Sequence, residues 1–319
     1  MKLRKTILFS ALAAFAFNAS AQDKIHNVAI TAIVEHPALD TIRQGVIEEL
    51  AREGFVDGKN ISINFQSAQG STSTAAQIAR KFVGDKTDII IPITTPSAQP
   101  VVAATRSIPI VFSGVTDPVA AKLIKSWEPS KTNVTGISDH KPIEPQLALI
   151  QKLVPNIKAL GYVYSAGEVN SAVVLEELRN AIRGSNIEIM PVAVQRSADI
   201  GTAARSLSGK VQAIYITEDN AVVSAYEALH KAALEAKIPV IAADKDTVKR
   251  GALAAYAVNQ YDIGAETGKV AAKILRGEKA GNIATQSVSK MELSINQKTA
   301  RQLGLSIPES LLQEAKELF

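Results

Sequence analysis

The chain has 319 residues, of which 46% are hydrophobic, 21% charged and 5% aromatic. This composition is too apolar for a disordered chain, and the length favours two domains over one. The formal charge is +4, but residues 1–21 hold three cations (Lys2, Arg4 and Lys5) and no acid, which leaves 32 basic against 31 acidic side chains. A nearly neutral remainder argues against nucleic acid as a partner, because phosphate binding needs a concentrated basic face.

Residues 1–21 have the pattern of a secretory signal peptide. A charged start precedes an uncharged apolar run at 6–17, and Ala19-Ser20-Ala21 then predicts cleavage after Ala21. The run is shorter than the ~20 residues that a membrane-spanning helix needs. The chain has no cysteine, which excludes disulfides, cysteine zinc sites, a cysteine nucleophile and a lipoprotein anchor. We therefore expect an exported, unanchored protein in the periplasm, with free secretion as the alternative.

Along the mature chain, short apolar runs alternate with amphipathic helical stretches. The predicted strands are 28–34, 61–65, 89–93, 108–112, 159–164, 187–194, 213–216, 240–243 and 253–258. The predicted helices are 39–53, 74–83, 171–183 (with Asn170 or Ser171 as its cap) and 221–236. Near-continuous apolar strands that alternate with helices predict an α/β fold of doubly wound parallel sheets covered on both faces. Residues 131–145, rich in Thr, Asn, Gly and Pro, are interpreted as the first crossing between two domains.

Motifs for cofactor or metal chemistry are absent. The segment from Gly264 to Lys269 resembles a phosphate-binding loop, but it is one residue short between its glycines and is followed by Val270. A helix with small residues on a packing face explains it better. No G-x-G-x-x-G follows a strand, and no G-x-S-x-G is present. The four histidines form no ligand pair, so we predict neither a metal nor a cofactor. His36, in a strand-end loop, could touch a ligand or only structure the loop.

Polar side chains follow the predicted strands, where ligands of open α/β sheets bind. The first half of the chain contributes mostly hydroxyls and amides, and the second half is richer in carboxylates. The candidate ligand-binding residues are Glu35, Thr95, Ser97, Gln99, Thr116, Asp117, Tyr164, Glu168, Asn170, Ser171, Asp219, Asn220 and Asp244. Tyr164, Tyr215, Tyr256 and Phe112 could stack on an aromatic ligand, although aromatic residues on apolar strands usually belong to the core.

The mature chain resembles the solute-binding proteins of ABC transporters for tryptophan and other aromatic amino acids. The resemblance is carried by residues 35–40 (EHPALD), 95–99 (TPSAQ), 117–118 (DP), 133–136 (NVTG), 164–171, 217–225, 239–244, 251–256 (GALAAY), 296–300 (NQKTA) and 303–308 (LGLSIP). It implies a type I periplasmic-binding-protein fold, in which two lobes joined by three crossovers hold the ligand in a cleft. The expected N-terminal lobe is 22–137 plus 259–287, and the expected C-terminal lobe is 138–258 plus 288–319.

An amino-acid ligand is a zwitterion, and burying each of its charges requires hydrogen bonds. Thr95 and Ser97, at the start of a predicted helix, suit the carboxylate, with simple helix capping as the alternative. Glu168, Asp219 and Asp244 suit the ammonium, and capping is again the alternative, above all for Asp219. Only a closed cleft would satisfy both ends, so the ligand would favour closure.

The resemblance implies the binding component of an ABC importer, whose ligand we expect to be an aromatic L-amino acid such as tryptophan or phenylalanine. The expected partners are this amino acid and the ABC permease subunits at the inner membrane, with the protein itself a monomer. Two alternatives stay open at this point. One is an exported sensory module of the same fold. The other is an enzyme that uses the carboxylates and His36 for acid–base chemistry on an amino acid.

Overall fold

The structure is a computed structural model that describes residues 25–319. The predicted signal peptide lies outside these residues. Within them, no helix has the length and apolar character needed to cross a bilayer.

The strands alternate with helices along the chain. The strands are β1 (His26–Ala32), β2 (Ile61–Ser67), β3 (Ile89–Ile93), β4 (Ile110–Ser113), β5 (Val134–Ser138), β6 (Ala159–Ser165), β7 (Glu188–Val194), β8 (Ala213–Tyr215), β9 (Val240–Ala242), β10 (Ala254–Val258), β11 (Gln286–Ser287), β12 (Met291–Ile295) and β13 (Glu317–Leu318). The helices are α1 (Pro37–Arg52), α2 (Thr72–Gly84), α3 (Thr95–Ala104), α4 (Ile143–Leu153), α5 (Val169–Ala181), α6 (Ile200–Ser206), α7 (Asn220–Ser224), α8 (Tyr226–Glu235), α9 (Lys245–Lys249), α10 (Gln260–Leu275), α11 (Gln297–Leu303) and α12 (Glu309–Glu314). Short 3-10 turns occur at Ser197–Asp199 and Ala280–Asn282.

The strands of residues 25–319 form two sheets, and each sheet is the centre of one lobe. The first sheet has the order β11-β5-β4-β3-β1-β2, and the second has the order β13-β12-β10-β9-β8-β6-β7. Neighbouring strands are parallel except for the antiparallel pair of β10 and β12. Apolar clusters cover both faces of each sheet, which explains why β3 is buried along its whole length. The predicted fold class, two α/β lobes built on parallel sheets, is confirmed.

Each predicted strand and helix corresponds to an observed one, with two local corrections. The predicted helix 221–236 is broken at Ala225 into α7 and α8. The helix predicted from Ser171 begins at Val169 with Glu168 at its N-cap, so Asn170 and Ser171 lie inside its first turn and do not cap it.

The chain passes from one sheet to the other at three places. The first crossing, 139–142, connects β5 to α4, since β5 occupies much of the segment 131–145 that was interpreted as the crossing. The second crossing is Asn259, between β10 and α10, and the third is 288–290, between β11 and β12.

Helix α10 returns to the first lobe and packs along α1. A Cβ built on Gly264 would lie 2.0 Å from the carbonyl oxygen of Ile42, and one on Gly268 would lie 2.7 Å from the Cβ of Glu49. The two glycines therefore permit a close helix contact, which confirms the packing interpretation of this segment.

Candidate functional site

Two adjoining cavities lie where the carboxyl ends of the two sheets meet. The inner cavity, of about 20 Å³, is lined by His36, Ala38, Leu39, Ile42, Thr94, Asp139, Glu218, Asn220, Val223, Asp244 and Gln260. The outer cavity, of about 330 Å³, is lined by Ile33, Val34, Gln69, Gly70, Thr72, Pro96, Ser165, Gly167, Glu168, Gln195, Ser197, Asn220, Ala221 and Ser224. Asn220 lines both cavities, and both include a residue at the start of α3. Their position between the lobes makes them the candidate ligand site.

The N-terminus of α3 carries unused hydrogen-bonding capacity. The side-chain oxygens of Thr94, Thr95 and Ser97 are buried and have no hydrogen-bond partner. Thr94 has a φ of +70°, a strained conformation for a β-branched residue, and its N–H donates to the carbonyl oxygen of Ser113 at 2.8 Å. Hydroxyls beside the positive end of a helix dipole suit an anion such as a carboxylate. The sequence indicated Thr95 and Ser97, which lie at this helix end but not among the residues that line the two cavities, whereas Thr94, which lines the inner cavity, was missed.

Glu168 is a buried carboxylate that its own lobe already satisfies. It accepts hydrogen bonds from the N–H groups of Asn220 (3.1 Å) and Ala221 (3.1 Å), and from the side-chain amides of Asn220 (2.6 Å) and Asn170 (3.2 Å). Burial raises the pKa of Glu168 to about 8. Glu168 therefore completes the N-terminus of α7 while it lines the outer cavity. The side-chain oxygen of Asn170 stays buried without a partner.

Asp219 and Asp244 both cap helices. Asp219 accepts from the N–H of Val222 (3.0 Å), the N–H of Ser165 (2.6 Å) and the hydroxyl of Ser171 (2.7 Å). Asp244 accepts from the N–H (2.8 Å) and hydroxyl (2.6 Å) of Thr247. Asp219 is fully buried beneath the site, whereas Asp244 also lines the inner cavity. The hydrogen bonds of both carboxylates are thus those of helix caps, which was the alternative to binding the ligand's ammonium.

The remaining candidates lie at the rim or in the structural layers around the cavities. Glu35 is exposed and accepts from Gln69 at 3.0 Å, and Gln99 donates to the carbonyl oxygen of Ala121 at 3.3 Å. The carbonyl oxygen of Thr116 accepts from Ser138, and Asp117 caps the turn at 119–120. These contacts organise the loops of the first lobe.

The aromatic candidates lie in the lobe cores (Tyr215 and Phe112) or pack partly buried against a core (Tyr164 and Tyr256), and none is among the residues that line the two cavities. Tyr164 packs beside Tyr162, with ring centroids 5.6 Å apart, and contacts the apolar cluster on one face of the second sheet. Tyr215 and Tyr256 belong to the same cluster, and Phe112 is buried in the first lobe. These contacts favour the core interpretation of the four residues, and a ligand contact by Tyr164 stays a prediction.

The candidates selected from the sequence do not include three residues at the crossings (Asp139, Lys141 and Gln260) or Glu218, which follows β8 in the second lobe. Lys141 pairs with Glu218 and donates to the carbonyl oxygen of Asp139 at 3.1 Å. Gln260, just after the second crossing, donates to Glu218 at 2.7 Å. Burial raises the pKa of Glu218 to about 8. Glu218 directly precedes Asp219 and Asn220, two of the candidates from the sequence. Its position after a strand is the sequence feature that could have identified it as well.

His36 lines the inner cavity with its Nδ1 atom buried and without a partner. Burial lowers the pKa of His36 to about 4, so its imidazole is neutral at physiological pH. A neutral ring can offer one donor and one acceptor to a ligand. Among residues 25–319, no group of three or more potential ligands is arranged to hold a metal ion.

Comparison with known proteins places this site in a family. Residues 27–319 match the family described as ABC transporter substrate binding protein. A tyrosine-binding protein of Clostridioides difficile (strain R20291) is 39% identical over 282 residues, which cover 88% of this chain and 82% of that protein.

Two solved structures of similar proteins superpose on this chain to different extents. An ABC domain from Streptococcus pneumonia in complex with L-Trp is 32% identical and superposes with a TM-score of 0.90, over 93% of this chain and 100% of that one. A ligand-free, open substrate-binding protein from Clostridium difficile is 37% identical but reaches a TM-score of only 0.69, over 92% and 99%. The chain therefore superposes more closely on the L-Trp complex than on the ligand-free, open structure, although the open structure has the more similar sequence.

Proposed function

Since this chain belongs to the family of ABC transporter substrate-binding proteins, we propose that it binds an aromatic L-amino acid between its lobes for delivery to an ABC permease. The observation that carries the proposal is the set of unpartnered, buried hydroxyls at the N-terminus of α3, contributed by Thr94, Thr95 and Ser97. A zwitterion that places its carboxylate there gains the hydrogen bonds and the helix dipole that offset its loss of water.

The outer cavity suits the ligand's ring. Its volume, about 330 Å³, lies within the range of small-molecule sites. Ile33, Val34, Pro96 and Ala221 supply apolar surface, and several hydroxyls and amides could bind a phenol or an indole N–H. The names of the relatives, one for tyrosine and one with L-Trp bound, support the same ligand class.

Closure would be driven by contacts that exist only when both lobes surround the ligand. Residues of both lobes line each cavity, and α3 contacts α5 across the cleft. A ligand that binds this arrangement more tightly than an open one shifts the population towards it. The permease would then distinguish loaded from empty protein by shape.

Calorimetric titration tests the proposed ligand. The mature protein, residues 22–319, is unfolded and refolded to remove carried-over ligand, and is then titrated with each of the twenty L-amino acids. We expect micromolar or tighter binding of tyrosine, tryptophan or phenylalanine and no turnover of the bound molecule. Binding confined to another chemical class would reject the aromatic ligand, and conversion of an amino acid would favour an enzyme.

We further propose that the protein is exported, acts as a monomer in the periplasm and works with permease subunits at the inner membrane. The signal-peptide pattern in residues 1–21 and the role of the family support this assignment. Mass spectrometry of the protein from a periplasmic fraction should show a chain that begins at Gln22. An intact Met1 in a membrane fraction would contradict export with cleavage.

A further inference from the structure

We propose that Asp139, on the first crossing, binds the α-ammonium group of the ligand, so that recognition of the amine and closure of the lobes are one event. This inference rests on the proposed function, since it concerns how the same site reads an amino acid. It assigns the ammonium to a residue of the hinge and not to the three carboxylates selected from the sequence.

The position of the carboxylate limits where the amine can lie. Both groups are bonded to the same carbon, so an amino acid whose carboxylate meets the start of α3 has its amine beside that helix end. Thr94, the first residue of this end, lines the inner cavity together with Asp139, Glu218 and Asp244. The amine of a ligand seated there faces these three carboxylates.

Asp139 has the capacity that the other carboxylates lack. Its residue is 5% exposed, and its Oδ1 atom is buried without a hydrogen-bond partner. Both oxygens of Asp244 accept from Thr247, and those of Glu218 accept from Lys141 and Gln260. A buried, unpartnered carboxylate oxygen is costly unless a donor reaches it, and an ammonium group supplies both a donor and the opposite charge.

The charges around the inner cavity favour a cation. Three acidic side chains line it, of which Glu218 has a pKa raised by burial to about 8, and Lys141, which pairs with Glu218, is the cation held against them. Arg250 also acts on Asp244 and His36, but its Nε and Nη2 atoms donate to Glu227 at 2.8 and 2.9 Å, which leaves only its Nη1 atom without a partner, and His36 is neutral. The amide oxygen of Asn170 is a second unpartnered acceptor, but it provides no charge to balance an ammonium.

Asp139 is also connected to the hydrogen bonds and the ion pair that link the two lobes. Its carbonyl oxygen accepts from Lys141, whose ammonium pairs with Glu218 of the second lobe. Glu218 in turn accepts from Gln260 at the beginning of α10, which packs on the first lobe. An amine bound at Asp139 therefore joins a series of contacts that connects the first crossing, at 139–142, with the residue just after the second crossing, at 259.

The first test needs no variant of the site. The tightest-binding aromatic amino acid is compared with its deamino acid: 3-(4-hydroxyphenyl)propanoate for tyrosine, indole-3-propanoate for tryptophan or 3-phenylpropanoate for phenylalanine. Because the chain has no cysteine, Gln77→Cys and Thr202→Cys allow one spin label on each lobe, and pulsed EPR then measures their separation. We expect the amino acid to shorten this distance, whereas the saturating deamino acid leaves the unliganded distribution dominant.

The second test uses Asp139→Asn, which keeps the shape and removes the charge. We expect it to weaken amino-acid binding about 10- to 100-fold and to leave binding of the deamino acid within about threefold of the wild-type value. The matched control is Glu188→Gln. Glu188 is exposed at the amino end of β7, whereas the cavities lie at the carboxyl ends of the strands, so this variant should behave as the wild type.

The outcomes separate this inference from the proposed function. Full closure by the deamino acid, or an unchanged preference for the amine in Asp139→Asn, would overturn the role of Asp139. Failure of every aromatic amino acid to bind the wild type would instead reject the proposed ligand class. A melting temperature measured on each variant identifies any loss of folding.

Discussion

Ser97→Ala should weaken ligand binding without destabilising the ligand-free protein. The hydroxyl of Ser97 is buried in a residue that is 1% exposed, and it has no hydrogen-bond partner. Its removal therefore breaks no internal bond and relieves the cost of a buried, unsatisfied polar group, which is about 1–3 kcal/mol. Because a water could meet part of this cost, we expect a gain in unfolding free energy of about 1 kcal/mol or less.

The effect on binding should have the opposite sign. If Ser97 donates to the ligand's carboxylate, its loss removes a hydrogen bond to a charged group, worth about 1.5–3 kcal/mol. That corresponds to a loss of affinity of about 10- to 150-fold. Calorimetric titration measures the affinity, and denaturant unfolding of the refolded, ligand-free protein measures the stability.

Ser71→Ala is the matched control, because it removes a serine hydroxyl with a known internal partner. Ser71 caps α2 and accepts from the N–H of Thr74 at 3.2 Å. Its substitution should cost about 1 kcal/mol of stability and leave the affinity unchanged. A ligand-binding role for the Ser97 hydroxyl is refuted if Ser97→Ala retains full affinity, or if it destabilises the ligand-free protein as Ser71→Ala does.

Three further substitutions test the framework around the site. Gly264→Ala should lower the free energy of unfolding by about 3 kcal/mol in denaturant, because its Cβ would lie 2.0 Å from the backbone of α1. Gly84→Ala, with open space around it, should be neutral or stabilising. Equal effects of the two substitutions would contradict the close helix contact. Asp219→Asn should lower the free energy of unfolding by about 2 kcal/mol, because at least one of the three donors to Asp219 loses its acceptor. The folded variant should keep its calorimetric affinity for the ligand. A loss of affinity without a loss of stability would restore Asp219 as a ligand residue. The pKa of Glu168 is raised to about 8 from 4.5, so the folded state binds this proton more tightly than the unfolded state, and stability should fall as the pH rises from about 4.5 to about 8, by at most ~5 kcal/mol from this group. Glu168→Gln should flatten that part of the pH profile in urea unfolding, and an unchanged slope would show that Glu168 is ionised throughout.

The chain's own sequence determined the lobes, because the information they need is local. Strand β3 is five apolar residues in a row, and it is buried on both faces, as such runs are in parallel sheets. The start of α3 was similarly visible, since Thr95, Pro96 and Ser97 come one residue after that strand ends. Hydroxyls at a strand-to-helix turn indicate an anion site without knowledge of the rest of the fold.

Tertiary structure alone decided how the carboxylates are used. In the sequence, Glu168 and Asp219 were both candidates for the ammonium, with capping the stronger alternative for Asp219. In the structure, the oxygens of both accept from backbone N–H groups of their own lobe, including donors more than 50 residues away. Likewise, Lys141 meets a partner 77 residues away, and Gln260 reaches the same carboxylate from a different crossing. A carboxylate oxygen accepts only a few hydrogen bonds. Which donors reach it depends on how segments that are distant in sequence pack together. The free oxygen of Asp139 could therefore be recognised only after every other acceptor around the cavity had been matched to its donor.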